Sequence, residues 1–187
     1  NAGDEAVLSV IHNAGIPDEK DFFVIALRKW KASDSEIINK ISAFADKVYE
    51  TYGLVPLVVP MQDIYDKEIS ERIAKTITCP SGLLACGLPP RTMLGVVGKA
   101  RFVVGMRLHT LIYAAKAGVP SIALDYDPKV DAVMKYVGSG FTQKVENIDV
   151  DTLLGFADHI MENRDEITDR IKKKSEELSI LAHKNTE

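Results

Sequence analysis

Short apolar runs alternate along this chain with longer segments whose apolar residues recur at helical spacing. After Asp21, the run Phe22-Phe23-Val24-Ile25-Ala26-Leu27 reads as a buried strand. Ile37, Ile41, Phe44 and Val48 then form one stripe of a helix, which Ser33 and Glu36 open as a capping box and Tyr52-Gly53 closes. Leu54–Val59 is a second strand, although Pro56 removes a ladder donor and calls for a bulge or an edge position. Glu68–Ile77 reads as a helix, Gly82–Cys86 as a weak third strand, and Pro89-Pro90 as the start of a helix through Arg91–Lys99. Phe102–Val104 and Ser121–Leu124 are the fourth and fifth strands, with a helix between them that Gly118 ends. Asp127-Pro128 has the form of an N-cap and a first-turn proline, so Lys129–Val137 is helical. Phe141–Val145 is a short sixth strand. From Asp149 the chain reads helical to its end, striped by Ile167, Ile171, Leu178 and Leu181. Asn1–Asn13 is a helix or a linker, with Val7, Leu8 and Ile11 on one side. Strands alternating with helices predict an α/β fold with a doubly wound, parallel, Rossmann-like sheet.

A chain of 187 residues can bury one sizeable core. At 46% hydrophobic and 27% charged, it has the composition of a soluble globular protein. The net charge of −4 gives no general basic field for nucleic acid. No apolar stretch approaches the roughly 20 residues that span a bilayer. Cys79 and Cys86 suggest neither a disulfide framework nor a metal site and read as free thiols of a reducing compartment, so the cytoplasm is expected. The chain opens on Asn1, not Met, as a fragment or trimmed chain would.

The candidate chemistry gathers where strands end. In Val103-Val104-Gly105-Met106-Arg107-Leu108-His109, an apolar run stops at a glycine, and an arginine and a histidine follow before the helix. Arginine grips carboxylate or phosphate bidentately. Histidine can donate to an anion or move a proton near neutral pH. The plainer alternative is a surface arginine and a core histidine. Arg28 leaves the first strand beside Trp30, which either stacks on a sugar or simply packs. Gln62 leaves the second strand and either reads a hydroxyl or turns the chain. Asp125, Tyr126, Asp127 and Lys129 leave the fifth, with Asp127 as N-cap first and ligand contact second. His12, His159 and His183 lie away from strand exits and read as surface residues. Four strand ends with polar or charged residues on one rim predict a crevice for an anionic ligand.

From about Phe23 to Lys144 the chain resembles the C-terminal half of bacterial polysaccharide pyruvyl transferases. The resemblance is strongest in Val104-Gly105-Met106-Arg107-Leu108-His109. It continues through Ala114-Ala115, Gly118-Val119-Pro120 and Tyr126-Asp127-Pro128-Lys129, and includes Leu27-Arg28-Lys29-Trp30 and Pro60-Met61-Gln62. The resemblance implies transfer of a pyruvyl group from phosphoenolpyruvate to two hydroxyls of a sugar as a cyclic ketal, with no cofactor and no metal. In the surface-layer branch, which the chain looks most like, the acceptor is a cell-wall polysaccharide or lipid-linked saccharide, and the product anchors surface-layer proteins. The implied architecture is the C-terminal domain of a glycosyltransferase-B-type fold, which holds the donor. The family's donor-binding residues carry over to Arg107 and His109, which would also be catalytic. Arg28 is a further donor contact, and Gln62, Tyr126, Asp127 and Lys129 complete the expected substrate-binding set. On this reading residues 1–20 are an interdomain linker or helix, and residues 21–187 a donor-binding domain with C-terminal helices. The N-terminal acceptor domain is absent, and self-association through the uncovered face is expected. Asn1–Ala6 is similar to a motif near the start of the full enzymes, by chance or through a deletion joining the two. Expected location is the cytoplasm, peripheral at the inner membrane face. The rival readings are the C-terminal nucleotide-sugar domain of a glycosyltransferase or epimerase, and a non-catalytic interaction module.

Overall fold

The computed structural model describes residues 2–30 and 34–184. Six strands, β1 (Phe22–Ala26), β2 (Val55–Val58), β3 (Gly82–Leu83), β4 (Val103–Gly105), β5 (Ser121–Asp125) and β6 (Phe141–Lys144), form one parallel sheet in the order β3-β2-β1-β4-β5-β6. The helices are α1 (Ala2–Asn13), α2 (Asp34–Tyr52), α3 (Asp63–Thr76), α4 (Pro90–Lys99), α5 (Leu108–Ala117), α6 (Pro128–Tyr136), α7 (Val150–Glu162) and α8 (Arg164–Lys184). The predicted doubly wound α/β architecture is therefore present.

Alternation along the strands builds two cores. Phe23, Ile25, Val104, Ile122 and Leu124 face one layer, where α2, α3, α7 and α8 supply Ile41, Phe44, Ile73, Leu153 and Ile167. Phe22, Val24, Ala26, Leu57 and Val103 face the other, where α1, α4 and α5 supply Ile11, Val96 and Ala114. Phe23 stacks on Phe102 with ring centroids 4.9 Å apart and meets Phe44 edge-on. Each such aromatic contributes more buried apolar area than an aliphatic neighbour.

Several local expectations change. Pro56 sits in neither a bulge nor an edge strand: β2 lies between β1 and β3. The Val55 N–H donates to Asp21, just before β1, at 2.9 Å, and the Val59 N–H to Ile25 of β1 at 2.8 Å, so position 56 would donate toward β3. But β3 begins only opposite Leu57, so at Pro56 no ladder acceptor is lost. The third strand shrinks to two residues, and α3 starts at Asp63, ahead of the expected Glu68. The C-terminal helix is two helices with a break at Asn163. Glu36 pairs with Lys40 at 2.7 Å, while Ser33 lies outside the described residues, as do the side chains of Leu178, Leu181 and His183. The first segment is a helix packed on α4: Val7 and Ile11 are buried, and a Cβ on Gly95 would stand 2.6 Å from Val7.

No helix among the described residues is long and apolar enough to cross a membrane.

Candidate functional site

In this strand order the chain reverses its direction of winding between β1 and β4. The chain leaves those two strands toward opposite faces of the sheet, to α2 on one and α5 on the other, which leaves a crevice at their carboxyl ends. Arg28 leaves β1 and Arg107 leaves β4, so the two arginines flank it. A cavity of about 490 Å³ occupies this place, lined by Arg28, Lys29, Gln62, Ile64, Tyr65, Glu68 and Arg107. Gln62 is the N-cap of α3 and Arg107 the N-cap of α5, and neither helix has a side chain capping its first turn. The start of α3 thus borders the cavity with Gln62, Ile64 and Tyr65, and α5 meets it at its N-cap Arg107, each at the positive end of a helix dipole.

Arg107 is held by a residue the sequence did not single out. Its Nε donates to Asp66 Oδ2 at 3.0 Å, and Nη2 donates to Asp66 Oδ1. Asp66 is fully buried, and its Oδ2 also accepts the Gln62 N–H at 3.0 Å. The carboxylate compensates the arginine charge, fixes the guanidinium plane and leaves Nη1 available. It ties the N-cap of α3 to that of α5. The only advance signal was an aspartate on the apolar side of a helix, and the assumed helix start at Glu68 hid it.

Arg28 has no carboxylate partner among the described residues. Its Nη1 donates to the Tyr126 hydroxyl at 3.1 Å, and its guanidinium carbon stands 4.9 Å from the Tyr126 ring centroid. Its Nε–H is buried without a partner among the described residues. A buried, unmet donor on this partly buried cation carries a desolvation cost that an anionic ligand would relieve. Trp30 leans on Tyr126 at a tilt, with centroids 5.3 Å apart, so it packs where the sequence left packing or sugar stacking open.

The fifth strand's exit is arranged differently. Asp125 is buried and its carboxylate is paired with Lys144 at the end of β6, while Oδ1 also accepts the Asp127 N–H at 3.1 Å. That hydrogen bond to the carboxylate raises the Lys144 pKa above its ordinary value. Asp127 accepts the Lys129 N–H at 2.9 Å, the N-cap role expected first. Lys129 is exposed. His109 is also exposed, in the first turn of α5; it does not line the cavity and makes no hydrogen bond to described residues. The structure thus brings together Arg28, Gln62, Arg107 and, through Arg28, Tyr126. It leaves His109, Asp127 and Lys129 around them on the same edge of the sheet.

No group of three or more His, Cys, Asp or Glu among the described residues could hold a metal ion. Cys79 lies away from the crevice: burial and the Asp46 carboxylate push its thiol up to about 12.

A family model described as polysaccharide pyruvyl transferase matches residues 3–128. The match takes in all the strand-exit residues considered above except Lys129 and Lys144, and it starts well before the Phe23 suggested by the motifs. No curated protein matches the chain in sequence. Among solved structures, the chain is similar to UDP-GlcNAc 2-epimerase from Neisseria meningitidis bound to UDP-GlcNAc, with 10% identity and a TM-score of 0.69 over 98% of this chain and 50% of that one. It is similar to the glycosyl transferase family 9 protein from Veillonella parvula, with 9% identity and a TM-score of 0.65 over 87% of this chain and 52% of that one. A third is the UDP-GlcNAc 2-epimerase from Methanocaldococcus jannaschii in complex with UDP-GlcNAc and UDP, at 12% identity and a TM-score of 0.62 over 98% and 53%. At these identities the likeness is one of fold. The chain spans about half the length of each.

Proposed function

This chain belongs to the polysaccharide pyruvyl transferase family, and we propose that it is the donor-binding half of an enzyme acting on phosphoenolpyruvate. In this reading the pyruvyl group passes to two hydroxyls of a cell-wall polysaccharide or lipid-linked sugar, in the surface-layer branch of the family. Such an enzyme would work in the cytoplasm, at the inner membrane face. The observation that carries the donor assignment is Arg28: an arginine with no carboxylate partner and a buried, unmet Nε–H among the described residues, lining one cavity with Arg107 and the start of α3.

The chemistry suits this set. Phosphoenolpyruvate bears a carboxylate and a phosphate, so two separate cationic anchors are needed. Arg28 supplies one full charge. Arg107, compensated by Asp66, supplies an oriented N–H donor, and the α3 and α5 N-termini supply backbone N–H groups. In the reaction, the donor's methylene carbon takes a proton and becomes the methyl group. One sugar hydroxyl attacks the neighbouring carbon, the C–O bond to phosphate breaks, and the second hydroxyl closes the ketal. The two hydroxyl protons are balanced by the one gained at carbon and the one carried off by phosphate. His109 is assigned to the phosphate or to proton delivery, and Lys129 adds positive charge on the same edge of the sheet.

Ligand preference tests this reading. A ligand that binds only the native state stabilises it by an amount that grows with the logarithm of its concentration above Kd. Phosphoenolpyruvate is expected to raise the melting temperature of the chain progressively with its concentration, and UDP-GlcNAc to leave it unchanged. The reverse result would move the chain to the nucleotide-sugar reading that its fold neighbours represent.

A further inference from the structure

The arginine cavity holds a second charged pair. Lys29 follows Arg28 out of β1, Glu68 stands one turn beyond Ile64 on α3, and both line the cavity. The Lys29 ammonium lies 3.9 Å from the Glu68 carboxylate. This pair is built loosely where Arg107 and Asp66 are built tightly. Asp66 is fully buried and accepts two N–H bonds from one guanidinium. Glu68 meets Lys29 through a single long contact, and the two side chains are 70% and 65% exposed. Exposed pairs of this kind are weak, so a competing anion can displace them. The charges around the cavity make that competition matter. Asp66 compensates Arg107 and Glu68 compensates Lys29, while Arg28 has no carboxylate partner among the described residues. A ligand with two anionic groups therefore meets one uncompensated side-chain cation in this lining until Lys29 is released.

We propose that Lys29 and Glu68 form an exchangeable latch on the arginine cavity: Glu68 holds the Lys29 ammonium while the cavity is empty, and the phosphate of an incoming ligand takes the ammonium from it. Lys29 then supplies the second full positive charge that a carboxylate and a phosphate together require, and Arg28 supplies the first. Glu68 acts as a built-in competitor that lowers the affinity for the ligand. The latch itself requires only that the cavity takes phosphate-bearing anions; that the phosphate belongs to phosphoenolpyruvate rests on the donor assignment above.

Calorimetric titration of the parent chain, Lys29→Met, Glu68→Gln and the double variant with phosphoenolpyruvate and with inorganic pyrophosphate, at low ionic strength, tests the latch. Lys29→Met should weaken binding roughly tenfold, the effect of losing one charge-assisted contact. Glu68→Gln should strengthen it roughly threefold, because the ligand no longer has a pair to break. The same Glu68→Gln change should gain less once residue 29 is Met, since no pair then exists. A carboxylate that merely repelled the ligand would give the same gain in both backgrounds. Both side chains are mostly exposed, so the ligand-free melting temperatures should stay near that of the parent chain. Equal gains in the two backgrounds, affinity indifferent to Lys29→Met, or a parent chain that binds neither anion would overturn the latch. Pyrophosphate binding with the expected pattern, but no binding of phosphoenolpyruvate, leaves the latch standing and removes the donor reading. Phosphoenolpyruvate binding indifferent to both substitutions does the opposite.

Discussion

Two exits of the same sheet use the same kind of pair and do opposite things. At β4, buried Asp66 holds Arg107, whose side chain keeps 12% exposure and lines a cavity. At β5, buried Asp125 holds Lys144, whose side chain is 63% exposed. In both, the acid is sunk beneath the strand end and also accepts a backbone N–H, from Gln62 in one case and Asp127 in the other. The difference lies in the base and its surroundings. The planar guanidinium can engage a carboxylate along one edge and keep another for a ligand, beside Arg28, which has no carboxylate partner among the described residues. The ammonium of Lys144 reaches across to the neighbouring strand and ties β5 to β6. The two pairs therefore differ in what surrounds the base: Arg107 lines the cavity between the strand exits and Lys144 does not.

The sharpest way to break this contrast is to remove the acids. Asp66→Ala leaves the partly buried Arg107 uncompensated and the Gln62 N–H unmet. It should cost about 3–5 kcal/mol of stability, read by chemical denaturation. The corresponding change at the other exit, Asp125→Ala, leaves Lys144 solvated and should cost much less, because only the Asp127 N–H loses its acceptor. Equal losses would show that the two pairs are not different in kind.

A smaller effect separates the exits by ligand. Arg28→Ala removes charge-assisted contacts worth about 1.5–3 kcal/mol each, so phosphoenolpyruvate affinity should fall at least roughly tenfold. Lys129→Ala, at the β5 exit, removes only an exposed charge and should change affinity by a factor of roughly two at low salt, and by less at high salt. A Lys129 effect as large as that of Arg28 would move the donor toward β5.

The smallest effects belong to a corner remote from both exits. Burial alone would raise the Asp46 pKa, but hydrogen bonds from Cys79 and Thr78 outweigh it and leave the carboxyl below its ordinary 3.8. Its contribution is therefore complete above pH 3.8 and lost as pH falls further, through the lowered folded-state pKa. Asp46→Asn should flatten that acid limb of the stability curve without affecting ligand binding. Cys79, with its thiol pushed up to about 12, should resist alkylation near pH 8.5 until the chain is unfolded.

Much of the fold was legible because its signals are local. The continuous apolar strands, the Asp127-Pro128 cap and the Gly118 stop each act within a few residues, and all are found. Pro56 was misjudged because its tolerance depends on where a different strand begins. The site was legible only as a set of strand ends. Asp66 meets Arg107 across 41 positions and Tyr126 meets Arg28 across 98, distances at which periodicity carries no information. His109, prominent in its motif, stands exposed, while the less conspicuous Arg28 has the unmet donor.

The central claim is that the crevice between β1 and β4 holds the donor through Arg28 and Arg107. Calorimetric titration of phosphoenolpyruvate into the parent chain and into Arg28→Ala tests it most directly. The claim predicts one saturable site in the parent chain and an affinity at least roughly tenfold weaker in the variant. No binding to the parent chain, or binding that Arg28→Ala leaves unchanged, would contradict it.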